Sequence, residues 1–98
     1  MLNISKAMEG SALTLALEGR LDTTTSPELE EVIKGLDGVD TLIMDMAGLE
    51  YISSAGLRVL LSAQKVMNTN GGMKIKNATE EVMEIFEVTG FDDILTIE

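Results

Sequence analysis

The chain has no cysteine, no histidine and no tryptophan, and a single proline among its 98 residues. Without cysteine there is no disulfide framework, no thiolate metal site and no thiol nucleophile. Without histidine the usual general base and the usual nitrogen metal ligand are both missing. Together these absences exclude most common hydrolase chemistries and leave only a carboxylate site, for which Asp22 and Asp45 are the candidates. Two carboxylates make a poor metal site, so the reading is no metal, no cofactor and no catalytic residue. No apolar run approaches the length of a membrane span, and Met1-Leu2-Asn3-Ile4-Ser5-Lys6 lacks the basic start and apolar stretch of a signal peptide. The expectation is a soluble, cytoplasmic protein.

Aromatic residues supply only 3% of the chain, while 45% is apolar, so Leu, Ile, Val and seven Met must fill the core. The length suits one domain over residues 1–98, and no linker or repeat divides it. The net charge is −10, and the seven Lys and Arg are scattered singly. Such a chain cannot track a phosphate backbone or settle on an anionic bilayer, so neither nucleic acid nor membrane is an expected partner. Acidity suits solubility and encounter with a basic protein surface.

Leu2 and Ile4 predict a short first strand, and Leu13, Leu15 and Leu17, every second residue, a second one joined to it across Glu9-Gly10-Ser11. A loop over residues 19–25 follows. Ser26 as N-cap, Pro27 and Glu28 open a helix whose inner face is Leu29, Val32, Ile33 and Leu36, ending around Gly35 to Gly38. Leu42-Ile43-Met44-Asp45-Met46 predicts a central strand covered on both sides. A second helix begins after Ser53 and Ser54 and stops at Asn70-Gly71-Gly72. Met73-Lys74-Ile75-Lys76 alternates like an edge strand. Thr79 opens a third helix, Gly90 closes it, and Ile94-Leu95-Thr96-Ile97 predicts a last short strand. Two strand–helix–strand crossovers imply parallel pairing, so the class is mixed α/β with an antiparallel edge.

The segment Tyr51-Ile52-Ser53-Ser54-Ala55-Gly56-Leu57-Arg58 lies past the carboxyl end of the most buried strand and opens the next helix. That edge of a parallel sheet is where ligands and partners usually bind, and free N–H groups there tolerate added negative charge. Serine is also a preferred N-cap, so two serines before an apolar helix need no further role. Gly56 fits either close approach by a partner or tight helix–sheet packing. Asp22 fits either a contact role or a turn whose carboxylate bonds nearby N–H groups. Arg58 fits a partner contact or a solvated surface.

Gly19-Arg20-Leu21-Asp22, the threonines after it, the strand over residues 42–45 and the serine segment, in that order and spacing, resemble the STAS family, specifically the bacterial anti-sigma factor antagonists. The resemblance spans essentially the whole chain. It implies a STAS-like α/β domain with a mixed, mostly parallel sheet of four to five strands and three main helices. Family members carry aspartate where Ser53 stands and a hydroxyl residue where Ala55 stands. Their phosphorylated serine, two places before the glycine, corresponds to Ser54, with Ser53 a second possible acceptor. The implied partner surface is Asp22, Thr23, Thr24, Ser53, Ser54, Gly56 and Arg58. The implied function is partner switching: the unphosphorylated chain binds an anti-sigma factor serine kinase, phosphorylation of Ser54 releases it, and a serine phosphatase resets it. The antagonist itself is not an enzyme, and a monomer suits a protein that offers one face. The alternative is a STAS subunit of a transporter-associated or other signalling complex that binds without being phosphorylated.

Overall fold

Leu13, Leu15 and Leu17 alternate along β2 (Ala12–Leu21), and each is buried while its neighbours Thr14 and Ala16 are only half-buried. In the computed structural model, which describes residues 2–36 and 38–98, this strand lies inside a four-stranded sheet of order β1-β2-β3-β4. The hairpin partner β1 (Leu2–Glu9) runs antiparallel on one side, with Ile4 opposite Leu17. On the other side β3 (Thr41–Ile52) is parallel, placing Leu42 beside Leu13 and Met44 beside Leu15. Beyond it the short β4 (Met73–Lys76) is parallel again, with Met73 beside Leu42 and Ile75 beside Met44.

Parallel strands need crossovers, and α1 (Ser26–Lys34) and α2 (Ser54–Asn70) supply them, followed by α3 (Glu80–Thr89). Leu29 and Ile33 of α1, Leu57, Leu60 and Met67 of α2, and Val82 and Phe86 of α3 join the sheet leucines in one core. The central strand is not covered on both sides as its sequence suggests. Leu42, Met44 and Met46 are buried, whereas Ile43 and Asp45 between them are only half-buried, so one sheet face carries the core and the other stays open. Apolar Ile43 lies on that face between Thr14 of β2 and Lys74 of β4.

Two register shifts, between Ala16 and Glu18 and between Gly19 and Arg20, place extra residues on β3. The bulges carry β3 on through Ile52, with Leu49 and Ile52 inward and Tyr51 outward beside Arg20. The strand thus runs past the predicted residues 42–46, an extension hidden in the sequence because inward residues three apart break the alternation.

Helix ends follow the predicted chemistry with small shifts: Leu36, expected on the inner face of α1, lies beyond its end at Lys34, and Ser54, expected before α2, is its first residue. The Thr79 hydroxyl accepts the Val82 N–H at 3.3 Å, and Gly90 closes α3 at φ 80°, a left-handed conformation that favours glycine. The N-cap of α1 is Thr25 rather than Ser26, which is already helical. Helix α1 stops at Gly35; Asp37, inside the predicted stop, and Met1 lie outside the described residues. No fifth strand forms at residues 94–97. A single turn of 3-10 helix (Phe91–Asp93) leads there, and only Ile97 bridges to Ile75, held by Ile75 N–H to Thr96 O at 2.8 Å and Glu98 N–H to Ile75 O at 2.9 Å.

Candidate functional site

The carboxyl ends of β2 and β3 emerge side by side, Leu21 opposite Ile52, and each passes directly into a turn that opens a helix. The turn after β2 is organised by Asp22. One of its carboxylate oxygens, Oδ1, accepts from the Thr24 hydroxyl at 2.7 Å, the Thr24 N–H at 3.0 Å and the Thr25 N–H at 3.1 Å. The other lies 3.9 Å from the Arg20 guanidinium. These donors, the Thr24 hydroxyl foremost, hold the Asp22 carboxyl below its ordinary value. The Thr25 hydroxyl donates to Arg20 O at 2.8 Å and accepts from the Asp22 N–H at 2.9 Å, and the Ser26 hydroxyl donates to Asp22 O at 2.6 Å. Buried Thr25 and Ser26 therefore lock the loop, while Thr23 and Thr24 are left outside.

The turn after β3 is tied to the first one by the Ser53 N–H, which donates to Leu21 O at 2.9 Å. Ser53 is extended, and its side chain caps α2 by accepting the Gly56 N–H at 3.3 Å. Ser54 is the first helical residue; it is exposed, and among the described residues its hydroxyl has no hydrogen-bond partner. Gly56 is buried. A Cβ there would stand 2.8 Å from Leu21 Cγ and 3.0 Å from Ile52 Cγ1, so tight packing of α2 on the sheet accounts for this glycine.

Between the first turns of α1 and α2 runs an open cleft of about 210 Å³ lined by Thr23, Ser26, Pro27, Glu30, Arg58 and Ser62, among others. Of the site residues expected from sequence, Thr23 and Arg58 line this cleft, Asp22, Thr24, Ser53 and Ser54 lie on the two turns joined by the Ser53–Leu21 bond, and Gly56 is buried. Glu30 and Ser62 were not anticipated. Their signal was present in the helical spacing, since Glu30 lies one turn after Ser26 and Ser62 one turn after Arg58, but pairing the two faces requires the fold. Arg20 and Tyr51 were also missed; the guanidinium carbon sits 4.5 Å from the ring centroid, a contact set by the bulged register.

Asp45 does not join these turns. It pairs with Ala16, six residues before Asp22, and a strand rise near 3.3 Å per residue puts the two carboxylates about 20 Å apart. Its Oδ1 accepts from Ala47 N–H and Asn77 Nδ2, each at 3.1 Å. The carboxylate pair considered from sequence is therefore not a site. Among the described residues no three acidic side chains cluster as metal ligands would, and no helix is long and apolar enough to cross a membrane.

Residues 3–98 match the STAS domain family. The anti-sigma-B factor antagonist of Staphylococcus aureus (strain NCTC 8325 / PS 47) is 28% identical over 99 residues, covering 98% of this chain and 92% of that protein. Among solved structures, an anti-sigma factor antagonist from Mycobacterium paratuberculosis superposes with a TM-score of 0.89 at 19% identity, over 99% of this chain and 85% of the other. The unphosphorylated form of the antagonist SpoIIAA gives 0.84 at 18% identity, over 98% and 88%. At such identities the structural likeness speaks for the fold, and the sequence match carries the kinship. Antagonists of this kind are regulators rather than enzymes. The chain is a member of the STAS domain family, and its relatives there are anti-sigma factor antagonists.

Proposed function

We propose that the protein is a partner-switching antagonist whose unphosphorylated form binds an anti-sigma factor serine kinase and whose phosphorylation at Ser54 ends that binding. The observation that carries this reading is the division between adjacent serines. Ser53 is committed to the cap of α2, while the exposed Ser54 hydroxyl is free to accept a phosphoryl group without loss of a structural bond. The kinase would transfer the terminal phosphoryl group of ATP to Ser54 Oγ, with ADP leaving and the hydroxyl proton passing to a base on the kinase. A serine phosphatase would hydrolyse the ester.

The partner surface in this reading is the rim of Asp22, Thr23, Thr24, Ser53, Ser54 and Arg58. The first turn of α2 contains no acidic residue, unlike those of α1 and α3, so the free protein offers N–H groups and solvent to the added anion. A docked partner would remove that solvent. A phosphate bears about −1.5 to −2 charges near neutrality, and leaving it unpaired in an interface costs roughly 3 kcal/mol, about a hundredfold in affinity.

The test is incubation with an anti-sigma factor serine kinase and ATP, read by mass spectrometry, with affinities measured by calorimetry. Phosphate should appear on the parent and on Ser53→Ala but not on Ser54→Ala, and the phosphorylated protein should bind at least about a hundredfold more weakly. Modification confined to Ser53, or equal affinity of both forms, would overturn the reading.

A further inference from the structure

Arg58 stands one helical turn after Ser54 on α2, which puts the two residues on one face with their Cβ atoms about 5–6 Å apart. A helical side chain leans toward the amino end and covers residues three and four positions earlier, here Ala55 and Ser54. Arg58 accordingly lines the cleft together with Ala55 and Thr23. Both Ser54 and Arg58 are exposed. Among the described residues Arg58 makes no ion pair, whereas Arg20 engages Asp22 and Lys74 engages Glu98.

We propose that Arg58 is the intramolecular counter-ion of a phosphate on Ser54. Phosphorylation would draw the guanidinium onto the new anion, and so withdraw from the docking rim a cation that the unmodified protein presents to its partner. The inference rests on the reading of Ser54 as the modified residue. Its chemistry is that of a planar donor fork, which matches two phosphate oxygens at once. One modification would then alter the partner surface twice, by adding negative charge and by occupying the positive charge beside it.

The charged groups around this position are few. Glu30 of α1 lines the cleft with Arg58, while Ser54 lies outside that lining. Asp22, in the loop before α1, already has its carboxylate bonded to Thr24, Thr25 and Arg20. Among the described residues Arg58 is the one cation lining the cleft.

The experiment installs phosphoserine at position 54 during translation, so that no kinase is needed, and follows the phosphate by phosphorus NMR as pH is varied. In the otherwise unaltered chain the second ionisation should fall below the ordinary value of about 6. Arg58→Gln should raise it by about 0.2–0.4 of a unit, while Arg58→Lys, which keeps the charge, should retain most of the depression. Amide spectra of the variants report whether the fold is intact, and a purely structural role for Arg58 would leave the phosphate titration unmoved. An identical titration in the parent and Arg58→Gln proteins would overturn the inference. A kinase that ignores Ser54 would instead sink the functional reading alone, because here the phosphate is placed without it.

Discussion

The Ser53 N–H donates to the Leu21 carbonyl at 2.9 Å, joining the end of β2 to the cap of α2. Because Leu21 precedes Asp22 and Ser53 precedes Ser54, this one bond couples the threonine loop to the serine turn. The rim is therefore two turns of chain held in common, each anchored in a buried strand end.

The two serines should separate cleanly by stability. Ser53→Ala removes the side chain that accepts the Gly56 N–H and should cost about 1 kcal/mol. For a domain of this size that is a fall in Tm of about 4–8 °C. Ser54→Ala touches no hydrogen bond among the described residues and should stay within about 0.5 kcal/mol of the parent. Urea melts of the two variants check both, and equal losses would contradict the assigned roles.

Asp22 should make stability depend on acidity. Its carboxyl titrates lower in the folded chain than its ordinary 3.8, so its contribution is present above that pH and is lost as pH falls through the lower folded value. Asp22→Asn should therefore have a lower urea midpoint than the parent at pH 7, with the gap closing below pH 3.8. A gap that is constant across this range would mean that the charge is not what organises the loop.

Gly56→Ala should destabilise despite the better helix propensity of alanine. The new methyl group would meet Leu21 Cγ at 2.8 Å in the packed seam between α2 and the sheet, and overpacking of that kind costs about 1–3 kcal/mol. Gly35→Ala is the control: φ is −97°, the nearest contact is Val32 O at 3.6 Å, and no loss is expected. Thermal melts of the pair decide the matter.

Gln64 offers a gain. It is 4% exposed, its Nε2 donates to Asn68 Oδ1 at 2.8 Å, and its Oε1 is buried with no partner among the described residues. Gln64→Met keeps the volume and removes the stranded acceptor, while exposed Asn68 is resolvated, so the urea midpoint should rise by the equivalent of about 1 kcal/mol. A lower midpoint would show that Oε1 is satisfied by bound water.

Much of this was readable in the chain. Leu13, Leu15 and Leu17 announced a half-buried strand, the two crossovers announced parallel pairing, and Thr79 and Gly90 marked the ends of α3 because caps are local chemistry. What escaped was non-local. The bulges that extend β3 to Ile52 and set Tyr51 against Arg20 depend on register between strands. The separation of Asp22 from Asp45 depends on strand length, and the gathering of Glu30 with Arg58 on how two helices pack. The apolar stretch of residues 94–97 resembled a strand, yet Ile94 is 47% exposed and helical in φ and ψ, and only Leu95 of that stretch is fully buried, with Ile97 packed against the core.

The hairpin turn at Gly10, where β1 reverses into β2, lies at the other end of the sheet from Ser54, since Ala12 pairs with Thr41 at the beginning of β3. Gly10 itself holds a left-handed φ of 61°, where a side chain is strained, but its neighbour Ser11 in the same turn is exposed. A fluorophore, a surface tether or a fused reporter attached there would sit a full strand length away from any docked partner. Binding and release could then be watched on the intact protein without obstructing either event.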